Sequence, residues 1–89
     1  MTTLQESFEA AAAEVKSLTK RPTDEELLEL YGFFKQSVEG DNNTSKPSLF
    51  DLKGKMKWEY WNKQRGTTKE EAQESYIAKV NELIHKYRE

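Results

Sequence analysis

The sequence predicts an all-α fold, a four-helix bundle of up-down-down-up order, and three observations carry that prediction. Three segments open with a capping box, Thr3 to Glu6, Thr23 to Glu26 and Thr68 to Glu71. In this motif a threonine hydroxyl accepts a first-turn backbone N–H, and the glutamate three residues on reaches back to the cap. Behind each box, apolar residues recur at three- and four-residue spacing, the period of one helix face. No run of β-branched residues alternates with polar ones, so no strand competes.

The first helix places Leu4, Phe8, Ala11, Ala12, Val15 and Leu18 on one stripe and is expected to end near Lys20-Arg21-Pro22. The second adds Asp24 and Glu25 to its first turn, where the helix dipole favours acid. Its apolar face is Leu27, Leu30, Tyr31, Phe34 and Val38, and Gly40 is a natural stop. From Gly40 to about Lys53 the helical period vanishes, leaving a connection that is long for so small a domain; long connections often serve function. The third helix is expected from Leu52 or Gly54 to Arg65, with Met56, Trp58 and Trp61 as its large residues and Gly66 as its end. The fourth carries Ala72, Tyr76, Ile77, Val80, Leu83, Ile84 and Tyr87. Short links between helices one and two and between three and four favour antiparallel neighbours. The long middle connection lets helices two and three run in the same direction.

Chain length bounds the rest. Eighty-nine residues make one domain, taken as 1–89, because a second would lack an interior of its own. The ending Lys86-Tyr87-Arg88-Glu89 is read as the natural end of the chain. No stretch approaches the ~20 apolar residues of a membrane span. The first twenty residues are acidic and amphipathic with no secretion-signal layout, so a cytoplasmic protein is expected. Without cysteine there is no disulfide framework, thiolate zinc site or thiol nucleophile. A net charge of −2 weighs against a dedicated nucleic-acid binder but leaves room for a local basic patch.

Several motifs fail on inspection. Asp41-Asn42-Asn43-Thr44-Ser45 begins like a calcium loop, but position six is Lys46 instead of Gly and position twelve is Leu52 instead of Glu. Asn42 and Asn43 head glycosylation sequons that have no meaning without secretion. His85 has no cysteine or second histidine with which to hold a metal, and it reads as a solvated or capping residue. No nucleophile–base pair stands out among the carboxylates, so neither a catalytic residue nor a cofactor is expected.

One segment carries a signal. Lys53-Gly54-Lys55-Met56-Lys57-Trp58 holds three lysines and no acid, and Lys53 and Lys57, four apart, share a helix face. Lys35 follows Phe33-Phe34 one turn after Tyr31. These lysines either solubilise helix ends or cradle a multiply charged anion beside an aromatic wall. The residues alone leave both readings open. They also leave room for a nucleotide-binding module built on Lys53 to Lys57 with Trp58, Tyr60 and Trp61, and for a protein-interaction bundle or a domain of a larger enzyme.

The stretch Pro22-Thr23-Asp24-Glu25-Glu26-Leu27-Leu28-Glu29-Leu30-Tyr31-Gly32-Phe33-Phe34-Lys35-Gln36-Ser37-Val38-Glu39-Gly40-Asp41 resembles the signature of the acyl-CoA-binding protein family. So do Lys53-Gly54-Lys55-Met56-Lys57-Trp58-Glu59-Tyr60-Trp61-Asn62, then Gly66-Thr67 and Tyr76-Ile77. The resemblance covers nearly the whole chain. It implies a four-helix bundle that binds medium- and long-chain fatty acyl-CoA esters and serves as their carrier and pool former, with no enzyme activity. By similarity, Tyr31 lies against the adenine, Lys35 and Lys57 pair with the ribose 3′-phosphate, and Lys16, Lys53 and Tyr76 complete the head-group and thioester contacts. Gly32, Phe33 and Phe34, inside the same motif, count among the ligand contacts. Leu28, Ala11 and Ala12 border the acyl groove, the alanines leaving room for a chain to lie down. The implied partners are acyl-CoA esters and, transiently, the enzymes that use them, with no nucleic acid, at most transient membrane contact and a monomeric state.

The sequence departs from the family pattern at Phe34, where Tyr is common, and at Val38, Tyr60 and Arg21. These departures bear on affinity. Phe8, Val15, Leu30, Trp58, Ile77, Val80 and Ile84 are assigned to the core, whereas Trp61 fits core packing and groove lining equally.

Overall fold

A computed structural model describes residues 2–88, so Met1 and Glu89, the two ends of the expected 1–89 domain, lie outside the described residues. Four α-helices form, α1 (Leu4–Val15), α2 (Asp24–Glu39), α3 (Leu52–Asn62) and α4 (Lys69–Lys86), with no strand among the described residues. All three capping boxes are made: the Thr3, Thr23 and Thr68 hydroxyls each accept a backbone N–H, and Glu6, Glu26 and Glu71 each accept from the cap N–H. A fourth cap, absent from the sequence reading, is Asp51, whose carboxylate accepts from the Gly54 N–H at 3.0 Å.

Two helix ends fall short of expectation. α1 stops at Val15 because its last turn tightens into three-residue bonds, Lys16 N–H to Ala13, Ser17 to Glu14 and Leu18 to Val15. The Ser17 hydroxyl also donates to the Glu14 carbonyl at 2.6 Å, a local bond that competes with helix continuation. α3 stops at Asn62 and a turn follows, closed by Gln64 N–H to Trp61, Arg65 to Asn62 and Thr67 to Gln64. Gly66 leaves that turn at φ +93°, a left-handed conformation glycine adopts without strain.

Cross-helix contacts fix the directions. Gln73 bonds Gln5 and Tyr76 packs on Phe8, so α1 and α4 run parallel. Lys86 and Tyr87 reach Glu26, Lys79 reaches Glu29 and Tyr76 meets Phe34, so α4 opposes α2. Lys57 lies over Tyr31 and Lys35 over Trp61, so α2 and α3 run parallel. The up-down-down-up order is thereby met. α4 packs on both α1 and α2, whereas α3 rests on α2 alone.

The core consists of Phe8, Ala11, Leu30, Tyr76, Val80 and Leu83, flanked by Ala12, Val15, Leu18, Leu27, Phe33, Ile77, Ile84 and Tyr87. Val38, expected on the apolar face of α2, is instead 50% exposed, because it opens onto a shallow cleft it shares with Leu4 and Gln5 of α1 and Lys69 and Gln73 of α4. Trp58 is only half-buried, and its indole N–H donates to the Thr44 carbonyl at 3.1 Å. Trp61 is buried and donates to the Gly40 carbonyl at 2.8 Å, which places it in packing and not in a groove.

The long connection is tied down by polar bonds. Asn42 is fully buried, its amide reaching the Trp58 carbonyl and its carbonyl oxygen accepting from Thr44, while Arg65 donates to the Asn42 backbone. Gln36, also fully buried, donates to Asp41 at 2.9 Å and to the Thr67 carbonyl at 2.7 Å. The Gly66 N–H donates to the same Asp41 carboxylate, whose pKa these bonds hold below its ordinary range. Among the described residues no helix is long and apolar enough to cross a membrane.

α2 meets α3 most closely at Gly32. A Cβ there would stand 2.5 Å from the Tyr60 carbonyl oxygen. Alanine is a better helix former than glycine by ~1 kcal/mol, but overlap with a backbone atom forces the helices apart. We expect Gly32→Ala to lower the unfolding free energy by a net ~1–2 kcal/mol, with Tm falling roughly 4–8 °C per kcal/mol. Urea and thermal denaturation read this directly, and a Tm at or above that of the parent would show that the helices can separate at no cost.

Glu26 joins the two ends of the bundle, accepting from Lys86 at 2.7 Å, Tyr87 at 2.5 Å and the Thr23 N–H at 2.9 Å. Led by the Lys86 bond, these contacts pull its pKa from 4.5 to about 2. A carboxylate depressed in the folded state stabilises fully above its unfolded value and loses that contribution as pH falls through the folded one. We expect the parent to lose stability between about pH 5 and 2 more steeply than Glu26→Gln, the two curves converging at the acid end. Parallel slopes in denaturant titrations across that window would rule the lock out.

Candidate functional site

Between the N-terminal halves of α2 and α3 opens a cleft of about 630 Å³, lined by Arg21, Asp24, Leu27, Leu28, Tyr31, Leu52, Lys53, Met56 and Lys57. The lining follows from helix geometry. On α2, positions 24, 27, 28 and 31 are spaced i, i+3, i+4 and i+7, and on α3 positions 52 and 56 and positions 53 and 57 form two adjacent i, i+4 pairs, so each set lies along one side of its helix. Leu27, Leu28, Leu52 and Met56 make the wall apolar, while Arg21, Lys53 and Lys57 give it positive charge. Asp24 pairs with Arg21 at 2.8 Å, while the other two cations of the lining, Lys53 and Lys57, form no ion pair among the described residues. The Lys57 ammonium lies 5.4 Å from the Tyr31 ring centroid, and Tyr31 is half-buried, with one side open to the cleft. Such a site suits a ligand with a long apolar part and a polyanionic part.

The structure thus brings four of the expected residues together, Leu28, Tyr31, Lys53 and Lys57. Phe34 and Tyr76 form a separate group. The Phe34 ring stacks on Phe8 at 5.7 Å and tilts against Tyr76 at 5.9 Å, and Tyr76 meets Phe8 edge-on at 5.0 Å. Burial raises the pKa of the Tyr76 hydroxyl, so it remains a neutral donor. Lys35 sits one turn beyond Tyr31, paired with Glu39 and with its ammonium 4.8 Å from the Trp61 ring centroid. Lys16 is the exposed C-cap of α1.

Four more expected residues line no part of this cleft. Gly32 is buried against the Tyr60 backbone and does not open onto the cleft. Phe33 packs beside the core cluster. Ala11 is buried in that cluster and Ala12 packs against it, so their small side chains let helices approach and border no part of this cleft. Arg21, Asp24, Leu27, Leu52 and Met56 line the cleft without having been expected there. Their signal was present in the helical spacing to Tyr31 on α2 and to Lys53 and Lys57 on α3.

Comparison with known proteins agrees with the fold. A family profile described as "Acyl CoA binding protein" matches residues 5–80. The chain is 60% identical over 84 residues to an acyl-CoA-binding protein homolog of Drosophila melanogaster, covering 94% of this chain and 98% of that protein. It is 54% identical over 81 residues to acyl-CoA-binding protein homolog 1 of Caenorhabditis elegans, covering 91% and 94%. Among solved structures, acyl-CoA-binding protein 2 of Oryza sativa superposes with a TM-score of 0.90 at 41% identity, over 93% of this chain and 90% of that one. With the helix order, the two sequence signatures and these matches in agreement, the chain belongs to the acyl-CoA-binding protein family.

Proposed function

We propose that this chain binds medium- and long-chain acyl-CoA esters as a single domain and carries them as a monomer in the cytoplasm, passing them to the enzymes that use them and doing no chemistry itself. One observation carries the reading: in a member of this family, the α2–α3 cleft joins an apolar floor to a cationic, aromatic rim. In this reading the acyl chain lies along Leu27, Leu28, Leu52 and Met56. The adenine lies against Tyr31, and the 3′-phosphate takes Lys57 and Lys35, the latter exchanging Glu39 for the ligand. Lys53, Lys16 and Tyr76 complete the polar contacts. Phe34 supplies ring surface and no hydroxyl, so one phosphate contact is lost.

Magnitudes support it. Burying ~15 methylenes at ~0.8 kcal/mol each gives ~12 kcal/mol gross. Association and ordering remove part of that, and the head-group contacts restore enough for binding near −12 kcal/mol, the nanomolar range.

Calorimetry with CoA, octanoyl-CoA, palmitoyl-CoA and palmitate tests the division of labour. Palmitoyl-CoA is expected to bind far above CoA or palmitate, with each two-carbon extension gaining up to ~1.6 kcal/mol until the groove is full. A nucleotide-binding module would hold CoA as tightly as its ester, and that outcome would refute the carrier reading.

The phosphate role has its own check. Lys57→Ala should weaken palmitoyl-CoA binding by ~1.5–3 kcal/mol, the range for a hydrogen bond to a charged group, with the fold intact by circular dichroism. The loss should be much smaller with the dephospho-CoA ester. Equal losses for both ligands would take Lys57 off the 3′-phosphate.

A further inference from the structure

Four of the large apolar side chains that are exposed fall in one short stretch. Leu49 is 74%, Phe50 97% and Leu52 70% exposed, and Met56, one turn further on, is 41% exposed. Single exposed apolar residues need no explanation, but a contiguous group rimmed by charge marks an interaction surface. The group is held in place. The Asp51 N–H donates to the Ser48 carbonyl at 3.0 Å and the Phe50 N–H to the Ser48 hydroxyl at 3.1 Å, closing a turn that projects Leu49 and Phe50. Asp51 then caps α3, so its charge is engaged with the helix N-terminus.

Charge concentrates at the same place. Residues 46–57 hold four lysines and one aspartate, a net of 4 − 1 = +3, so the rest of the chain carries −2 − 3 = −5. Lys46 pairs with Glu59 at 3.5 Å, while Lys53, Lys55 and Lys57 form no ion pair among the described residues. An acidic chain with one basic, apolar-tipped end is electrostatically oriented toward a negative surface.

We propose that the turn before α3 docks the protein on anionic lipid bilayers, with Leu49 and Phe50 entering the interface and Lys53, Lys55 and Lys57 meeting the headgroups. A bilayer suits this surface better than a protein partner does. A side chain as exposed as Phe50 protrudes and needs a matching pocket in a folded partner, whereas a fluid interface admits any apolar tip while lysine stems extend toward phosphates. The apolar tip of this surface is separate from the ligand reading, since neither Leu49 nor Phe50 lines the cleft. Its lysines are partly shared with the cleft, because Lys53 and Lys57 line it while Lys55 does not.

Flotation of the full chain with unilamellar vesicles tests the proposal. Vesicles of mixed phosphatidylcholine and phosphatidylserine should bind it at low ionic strength at least ~10-fold more tightly than phosphatidylcholine alone, and added salt should release it. Leu49→Ser with Phe50→Ser should lower binding to the mixed vesicles at least ~10-fold, with an unchanged melting temperature and an unchanged palmitoyl-CoA titration in vesicle-free solution. Lys55→Glu should also weaken binding and flatten its salt dependence. The proposal is overturned if the parent ignores mixed vesicles at low salt, if both lipid compositions bind alike, or if the double variant floats as well as the parent. It is equally overturned if the double variant binds vesicles normally but loses transfer to an acyl-CoA-using enzyme without lipid, since the occupant is then a protein. The vesicle-free titration reports on the carrier reading by itself, so failure of either idea is seen separately.

Discussion

The close approach of α2 and α3 at Gly32 is the constraint on which the arrangement of the site depends. Parallel helices joined by a twelve-residue connection have no short loop to hold them together, so the contact must be made by the helices themselves. Gly32 removes the side chain that would hold them apart, letting the Tyr60 carbonyl lie against the α2 backbone. From that contact the two helices present facing stripes along their N-terminal halves, and the cleft is the space between those stripes. A bulkier residue at 32 would change the cleft without touching any of its lining residues.

The connection between these helices extends the same logic. A segment of this length lacks enough apolar residues to bury itself, and it is ordered instead through polar groups that find partners. Asn42, Gln36 and Asp41 each bridge two or more segments, and both tryptophans of α3 donate their indole N–H to the loop backbone. Buried polar groups in such a network fix one arrangement because any other leaves donors unpaired. At the other end of the bundle, Glu26 does the corresponding job, tying the first turn of α2 to the last turn of α4.

Much of this was legible in the residues, and what was not has a common cause. The three threonine caps, the helix count and the parallel middle pair follow from local chemistry and loop length, which a sequence displays directly. The core stripe of α4 was equally plain, since Tyr76, Val80 and Leu83 share a face. The fourth cap escaped because Asp51 lacks the reciprocal glutamate that makes a box visible. Long-range pairings escaped for a deeper reason: nothing local distinguishes the buried Gln36 and Asn42 from the exposed polar residues beside them. Of the residues expected from family resemblance, Leu28, Tyr31, Lys53 and Lys57 line the cleft, whereas Gly32, Phe33, Ala11 and Ala12 pack elsewhere. That separation depends on which neighbour each residue faces.

α3 leans on a single helix, whereas α4 is gripped from two sides. Opening free energies vary across a protein, and elements with few buried partners open first. The core cluster and the side chains packed on it come from α1, α2, α4 and their flanks, with none from α3, so the bundle divides into a unit of α1, α2 and α4 and a flap consisting of α3 and its connection. On that ground the amide hydrogens of α3 are expected to exchange faster than those of α4. Because the cleft spans the seam between the two units, a ligand seated there acts as a clasp. Its effect falls first on the local opening of the flap and only afterwards on global unfolding, so occupancy and order in α3 rise together.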